Sequence, residues 1–281
     1  MVPGIRRGVA GMRRQIVESA RSSGAHAANL LRESLQWEIL AAMHTVEAFR
    51  EVAFLGGTCL RLMHGLGRFS EDLDFSARRP GGVVFLEKFP EELGRYLGSR
   101  GFGDAEVFSG KSHGAVRSIW VRFPGLLKEI GASPMASQKV GIKMEIDLNP
   151  PPGAGFEIQV VSNPAMLAVG LHDLPSLMAG KLHAVLARSY TKGRDWYDLL
   201  WYLGRKMEPN VSFLQNALNQ QPSQWCDDAG NWRDMVCEVV KLADWKAIHR
   251  DLAPFLEKGS EIEMMREDFF LSALNFGNGH S

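Results

Sequence analysis

The chain is poor in cysteine, carries no net charge and has no long apolar run. Cysteine occurs three times in 281 residues, at Cys59, Cys226 and Cys237. Those spacings match no zinc motif, and an odd number is no disulfide framework, so free thiols in a reducing cytoplasm are expected. Basic and acidic residues number 32 each, for a formal charge of zero. This excludes a uniformly basic protein held to nucleic acid by bulk charge, though a local basic patch remains open. No stretch approaches the roughly 18 apolar residues that span a bilayer. The N-terminus has arginines but no continuous apolar segment behind them, so no secretory signal and no membrane partner are expected. Internal repeats and low-complexity segments are also missing.

What is present is ordinary for a globular protein: 45% hydrophobic and 23% charged residues. The length suits one large domain or two modest ones, with a core that needs no disulfide or metal staple. Residues 11–50 read as helix, broken at Ser22-Ser23-Gly24. In its second half Leu30, Leu31, Leu35, Ile39, Leu40, Met43, Val46 and Phe49 draw one apolar stripe. Val52–Leu55 reads as a buried strand stopping at Gly56-Gly57, Thr58–His64 as a short helix, and Asp72–Phe75 as a second strand. A loop over Arg78–Gly82 and a helix over Glu87–Leu97 follow. Ala115–Phe123 and Val140–Leu148 have strand character, and Pro150-Pro151-Pro152-Gly153 ends the latter. From Pro175 the pattern is helical, and Asn275–Ser281 should fray. The composition divides the chain into N-terminal helices (1–50), an α/β core (51–170) and a helical C-terminal region (171–281).

The chemistry concentrates in residues 54–75. Gly56 and Gly57 at a strand-to-helix turn let backbone N–H groups approach an anion, the helix N-terminus adds its dipole, and Thr58 adds a hydroxyl. Asp72 follows fourteen residues beyond Thr58, and Asp74 two residues later. On a strand, residues i and i+2 share a side, so two carboxylates crowd together and one pKa should rise. A divalent cation relieves the conflict, and Asp-x-Asp beside a phosphate turn suits Mg²⁺ and a triphosphate. Alone, the pair reads more readily as two solvated acids at a strand end; the Gly-Gly-Thr turn upstream reverses that weighing. A third carboxylate is wanted, and the strand Ile142-Lys-Met-Glu-Ile-Asp-Leu-Asn149 offers Glu145 and Asp147 on its polar face. That face is as readily an ordinary solvated one.

A second block lies downstream. Leu174, Leu177, Met178, Leu182, Val185 and Leu186 make a helical apolar stripe, with Lys181 on its border and Arg188 two turns further on the same side. A lysine there must snorkel to water or find an anion such as a nucleotide phosphate. Asp195 is placed as an N-cap after Gly193, with Asp198 as its capping-box analogue. His64, His113, His172 and His183 have no ligand spacing. Trp196, Trp201 and Tyr202 read as packing. Arg6, Arg7, Arg13, Arg14 and Arg21 read as a solvated basic face.

The run Phe54-Leu-Gly-Gly-Thr-x-Leu, then Arg68-Phe-Ser-Glu-Asp-Leu-Asp-Phe75, resembles the AbiEii/AbiGii toxin family. Leu177-Met-Ala-Gly-Lys-Leu-His-Ala-Val-Leu-Ala-Arg188 and Gly193-Arg-Asp-Trp-Tyr-Asp-Leu-Leu200 match the family's lysine-bearing helix and its Arg-Asp-x-x-Asp-Leu motif. The match covers about residues 50–203; Gly180 departs from it, standing where a larger polar residue is common. The resemblance implies a DNA polymerase β-type nucleotidyltransferase fold, an α/β (α+β) core with a short mixed sheet flanked by helices. It implies a cytoplasmic toxin of a toxin–antitoxin or phage-defence system that transfers a nucleotide from an NTP, in some members to the 3′ end of tRNA. It further implies metal binding, as two Mg²⁺ ions, by Asp72, Asp74 and Glu145, with Asp147 the competing third carboxylate. Lys181 and Asp195 join these three as catalytic residues, and Gly56, Gly57, Thr58, Lys181, Arg188 and Arg194 bind nucleotide. Two rival expectations are an antibiotic-type nucleotidyltransferase acting on a small molecule, and a non-catalytic NTP-binding protein on the same scaffold.

Overall fold

The computed structural model describes residues 5–80, 83–112, 114–162, 165–188, 190–220 and 228–275, with side chains from residue 11. The expectations for His113, Cys226 and residues 276–281, and for the side chains of Arg6 and Arg7, lie outside the described residues. In chain order the elements are α1 (Ile5–Arg21), α2 (Ala27–Thr45), β1 (Val52–Leu55), α3 (Gly56–His64), β2 (Leu73–Ala77) and α4 (Phe89–Ser99). Then come β3 (Glu106–Ser109), β4 (Val116–Pro124), α5 (Leu126–Glu129), β5 (Lys139–Asp147), β6 (Phe156–Val161) and β7 (Leu167–His172). The C-terminal part is helical: α6 (Leu174–Ala187), α7 (Gly193–Gly204), α8 (Val211–Gln220), α9 (Trp232–Leu242), α10 (Trp245–Leu252) and α11 (Glu267–Asn275). Among the described residues no helix is long and apolar enough to cross a membrane.

The chain forms two compact units, one of residues 1–54, 70–149 and 158–171, the other of residues 55–69, 150–157 and 172–281. The sheet has the strand order β3-β4-β5-β2-β1-β7-β6. It is mixed: β2 runs parallel to β5 and β1 to β7, while β4 is antiparallel to both β3 and β5. The alternation expected on β5 is observed. Val140, Ile142, Met144 and Ile146 are buried, and Gly141, Lys143, Glu145 and Asp147 line the other face. Three strands escaped the sequence reading. β3 and β6 are short and largely exposed, without an apolar run, and β7 (Leu-Ala-Val-Gly-Leu-His) lacks alternation because both of its faces are covered.

The N-terminal helices differ from expectation at polar positions. On the inner side of α2, Gln36 and Glu38 are buried with Leu31, Leu35, Ile39 and Leu40. Burial of these polar groups is offset by specific partners. Arg100 binds Glu38 at 2.8 and 3.1 Å. The N-terminal arginines are not a solvated face throughout: Arg13 pairs with Asp104 at 2.7 Å and Glu129 at 2.5 Å.

In the second unit, helices α6 to α11 pack around Leu177, Met178, Leu182, Leu199, Tyr202, Leu214, Val236, Ile248 and Phe270, all nearly or fully buried. Helix α6 is started by Asp173, whose carboxylate accepts the Ser176 N–H at 2.9 Å, and by Pro175 in its first turn. Trp196 packs edge-on against Trp245 and Phe270, as its reading as a packing residue requires.

Candidate active site

The acidic residues gather on the sheet. Asp74 on β2 stands level with Glu145 on the parallel neighbour β5, and Ser76 stands level with Asp147. Paired positions on adjacent strands lie about 5 Å apart and point to the same face. Asp74 and Glu145 are therefore side by side, half-buried, while Leu73 and Phe75 point into the core. Asp72 is also half-buried and lies one residue before β2 rather than on it, so the i, i+2 argument reaches it only through the strand's approach. That approach is held from α2: the buried Gln36 amide donates to the Ser70 and Glu71 carbonyls at 3.1 and 2.9 Å. Nothing in the sequence pattern singles out Gln36 except a polar residue within an apolar stripe.

Asp147 has a local task. Its Oδ1 accepts the Asn149 N–H at 2.9 Å, closing the strand end. Glu145 is paired with Lys143 on the same face at 2.6 Å, and Ser118 of β4 is its neighbour on the other side. Among the described residues no three His, Cys, Asp or Glu side chains are drawn tightly enough together to hold a metal ion. The donor set itself is of the kind a hard divalent cation takes: the carboxylate oxygens of Asp74 and Glu145 on one sheet face.

In the second unit, α3 begins two residues earlier than expected, so Gly56, Gly57 and Thr58 form its first turn rather than a separate loop. Gly56 has φ +80°, a left-handed conformation that glycine adopts without strain, and Thr58 is fully buried. The N–H groups of this turn have the polarity that phosphate oxygens require.

The same unit holds an ionic cluster. The Lys181 ammonium lies 2.9 Å from Asp195 and 2.8 Å from Asp198. Arg68 donates two bonds of 2.6 Å to the Asp198 carboxylate, and Arg188 reaches Asp195 at 3.1 Å. Burial pushes the Asp195 carboxyl up, but the charges of Lys181 and Arg188 outweigh it and hold it at about 2. Burial pushes the Lys181 ammonium down, and Asp195 and Asp198 outweigh it, so its pKa stands above the ordinary lysine value. Two sequence expectations need correction here. Lys181 does not snorkel to water: its ammonium is held by Asp195 and Asp198. Asp195 is not the N-cap of α7 and Asp198 is no capping-box analogue. Lys192 occupies the cap position, and both carboxylates point at cations. Gly193 opens α7 because a Cβ there would sit 2.2 Å from the Ile248 carbonyl oxygen of α10. Arg194 turns toward Phe255, 4.1 Å over its ring, and toward Asp251 at 3.8 Å.

No curated protein sequence matches the chain significantly. Among solved structures, the nucleotidyltransferase toxin MenT4 from Mycobacterium tuberculosis H37Rv is similar at 17% identity and TM-score 0.54, over 96% of this chain and 90% of that one. JHP933 from Helicobacter pylori is similar at 18% identity and TM-score 0.53, over 89% and 91%. At such identities the likeness is one of fold. The model of the nucleotidyl transferase AbiEii toxin family, of type IV toxin–antitoxin systems, matches residues 38–268. The chain belongs to the AbiEii family of nucleotidyltransferase toxins.

Proposed function

We propose that this nucleotidyltransferase moves a nucleotide from an NTP to an RNA hydroxyl, the 3′ end of a tRNA being the preferred acceptor, and that a cognate antitoxin restrains it. The observation that carries the reading is the in-register pair Asp74 and Glu145, with Asp72 just ahead. Asp72, Asp74 and Glu145 would hold the divalent cations, two Mg²⁺ in this reading. When bound, those ions stabilise charge on the attacking and leaving oxygens of the transfer. The chain's own groups divide the remaining work. The N–H groups of Gly56, Gly57 and Thr58 orient the triphosphate. Lys181, Arg188 and Arg194 supply positive charge near it, and Asp195 fixes Lys181 and Arg188 in place. The acceptor hydroxyl would attack the α-phosphorus, the bond to the bridging oxygen would break, and pyrophosphate would leave. A supply of NTP and tRNA sets the cytoplasm as the place of action.

Incubation of the full chain with each α-labelled NTP, Mg²⁺ and total tRNA tests the reading. Label in the RNA band with one NTP, lost in Asp74→Ala, is expected. Label on an aminoglycoside instead of RNA would establish the small-molecule reading. Mg²⁺-dependent NTP binding with no labelled product would establish the non-catalytic one.

A further inference from the structure

The segment joining α6 to α7 carries charge that the ionic cluster does not use. A cavity of about 200 Å³ opens beside Asp195, with Arg188, Tyr190, Thr191 and Lys192 along one side and apolar side chains of α6 and α9 along another. Its volume is below the roughly 300 Å³ at which sites for drug-sized ligands begin, so it suits one phosphate or one base. Asp195 is answered by Lys181 and Arg188. The Lys192 ammonium has no hydrogen bond or ion pair among the described residues. Burial pushes its pKa below the ordinary lysine value; Asp195 opposes the shift, and Arg194, Arg188 and Lys181 add to it. The half-buried ammonium is thus crowded by cations, and the nearby carboxylate, Asp195, is already bound by Lys181 and Arg188. Beside it Tyr190 is 65% exposed, with the Arg188 guanidinium 5.6 Å from its ring centre and 3.4 Å from its hydroxyl. An exposed aromatic ring beside cations is the combination that grips single-stranded nucleic acid, a base on the ring and a backbone phosphate on the charge.

We infer that Lys192 and Tyr190 form a one-nucleotide subsite for the acceptor strand, with the Lys192 ammonium on a backbone phosphate and Tyr190, held by Arg188, under a base. This rests on the RNA-acceptor reading, in which the triphosphate has the N–H groups of α3 and the charge of Lys181, Arg188 and Arg194, and Lys192 serves a second nucleotide.

The test is binding of a fluorescein-labelled, eight-nucleotide single-stranded RNA of mixed sequence to the full chain, over a series of salt concentrations. The NTP-induced shift in melting temperature is measured in parallel. Losing one phosphate contact lowers the slope of log K against log salt by about 0.7 for a single strand, and Lys192→Gln should show that loss. Loss of one base stack should weaken binding in Tyr190→Ala by about 5- to 150-fold, while Tyr190→Phe should bind like the native chain. The NTP-induced shift should survive in Lys192→Gln and in Tyr190→Ala. Unchanged affinity and salt slope in Lys192→Gln would overturn the subsite, as would failure of the native chain to bind the RNA. Loss of the NTP shift with RNA binding intact would also overturn it, assigning Lys192 to the triphosphate. Native protein that binds RNA through Lys192 yet labels no RNA with any NTP would sink the transferase reading and leave the subsite standing.

Discussion

Arg68 and Asp198, 130 residues apart in sequence, meet through two bonds of 2.6 Å. Arg68 is 2% exposed and Asp198 is fully buried. The contact joins the arginine of Arg-Phe-Ser-Glu-Asp-Leu-Asp to the last aspartate of Arg-Asp-Trp-Tyr-Asp. Two short motifs distant in the chain are thus the halves of one interaction. The planar guanidinium fits the carboxylate at two points, and its remaining Nη1 donates to the Phe69 carbonyl at 2.9 Å.

Removing one member of a buried pair leaves the other uncompensated, which costs about 3–5 kcal/mol. Asp198 keeps Lys181 at 2.8 Å, so Arg68→Met should lower stability in urea by no more than the lower end of that range, and Arg68→Lys should recover only part of it, since an ammonium cannot bind at two points. A loss below about 1 kcal/mol in Arg68→Met would mean that Lys181 alone satisfies Asp198.

Asp195 sets a dependence on acid. Its folded pKa of about 2 lies below the ordinary carboxylate value of 3.8. A depressed acid contributes stability above its unfolded pKa and loses it as pH falls through the folded one, here between about 4 and 2. The contribution is on the order of 2 kcal/mol. Urea unfolding at several pH values in that window should show stability falling with pH in the native chain. In Asp195→Asn the fall should be shallower, from a lower starting stability. Parallel curves for the two proteins would assign the slope to other carboxylates.

The two candidates for the third carboxylate differ in what they face. Glu145 is level with Asp74, whereas Asp147 is level with Ser76 and tied to the Asn149 N–H. Glu145→Gln should reduce labelled transfer by orders of magnitude, and Asp147→Asn much less. Where activity remains, Glu145→Gln should also raise the Mg²⁺ concentration needed for half-maximal rate. The reverse ranking would move the cation site one pleat along β5.

The sequence made these residues legible to different degrees. Strand β5 could be read because one face is buried, so apolar residues alternate with polar ones. Strand β7 could not, because burial on both faces erases the alternation, and β6 could not, because little of it is buried. Asp72 and Asp74 stood out as carboxylates that follow a phosphate-type turn in sequence, and Glu145 as one of two candidates on the polar face of β5. The pairing of Asp74 with Glu145 across β2 and β5 is a matter of register, which local pattern does not determine. The partner of Lys181 was missed for a related reason. Its place beside an apolar stripe demanded an anion, but Asp195 and Asp198 had plausible duties at the start of their own helix. Helix α7 begins at Gly193 with Lys192 as its cap, and that leaves both carboxylates to reach inward.

That network changes what Lys181→Met should do. A lysine whose only alternative was water could lose its charge without harm, since methionine keeps the apolar stem and the helix propensity. Here the ammonium sits between two buried carboxylates, Asp195 at 2.9 Å and Asp198 at 2.8 Å. Deleting it leaves Arg188 on the first and Arg68 on the second, so neither carboxylate is abandoned, but one positive charge is lost. The melting temperature without nucleotide should therefore fall, by less than in Arg68→Met. The Asp195 carboxyl should become easier to protonate, and the acid-dependent loss of stability should begin at higher pH. NTP-induced stabilisation, which follows mass action on the folded state, reports separately on whether the ammonium also meets phosphate. A melting temperature in Lys181→Met equal to the native value would show that the two arginines hold the carboxylates unaided. In that case the ion pairs of Lys181 contribute nothing to stability, and the reason for a buried lysine would have to come from the nucleotide alone.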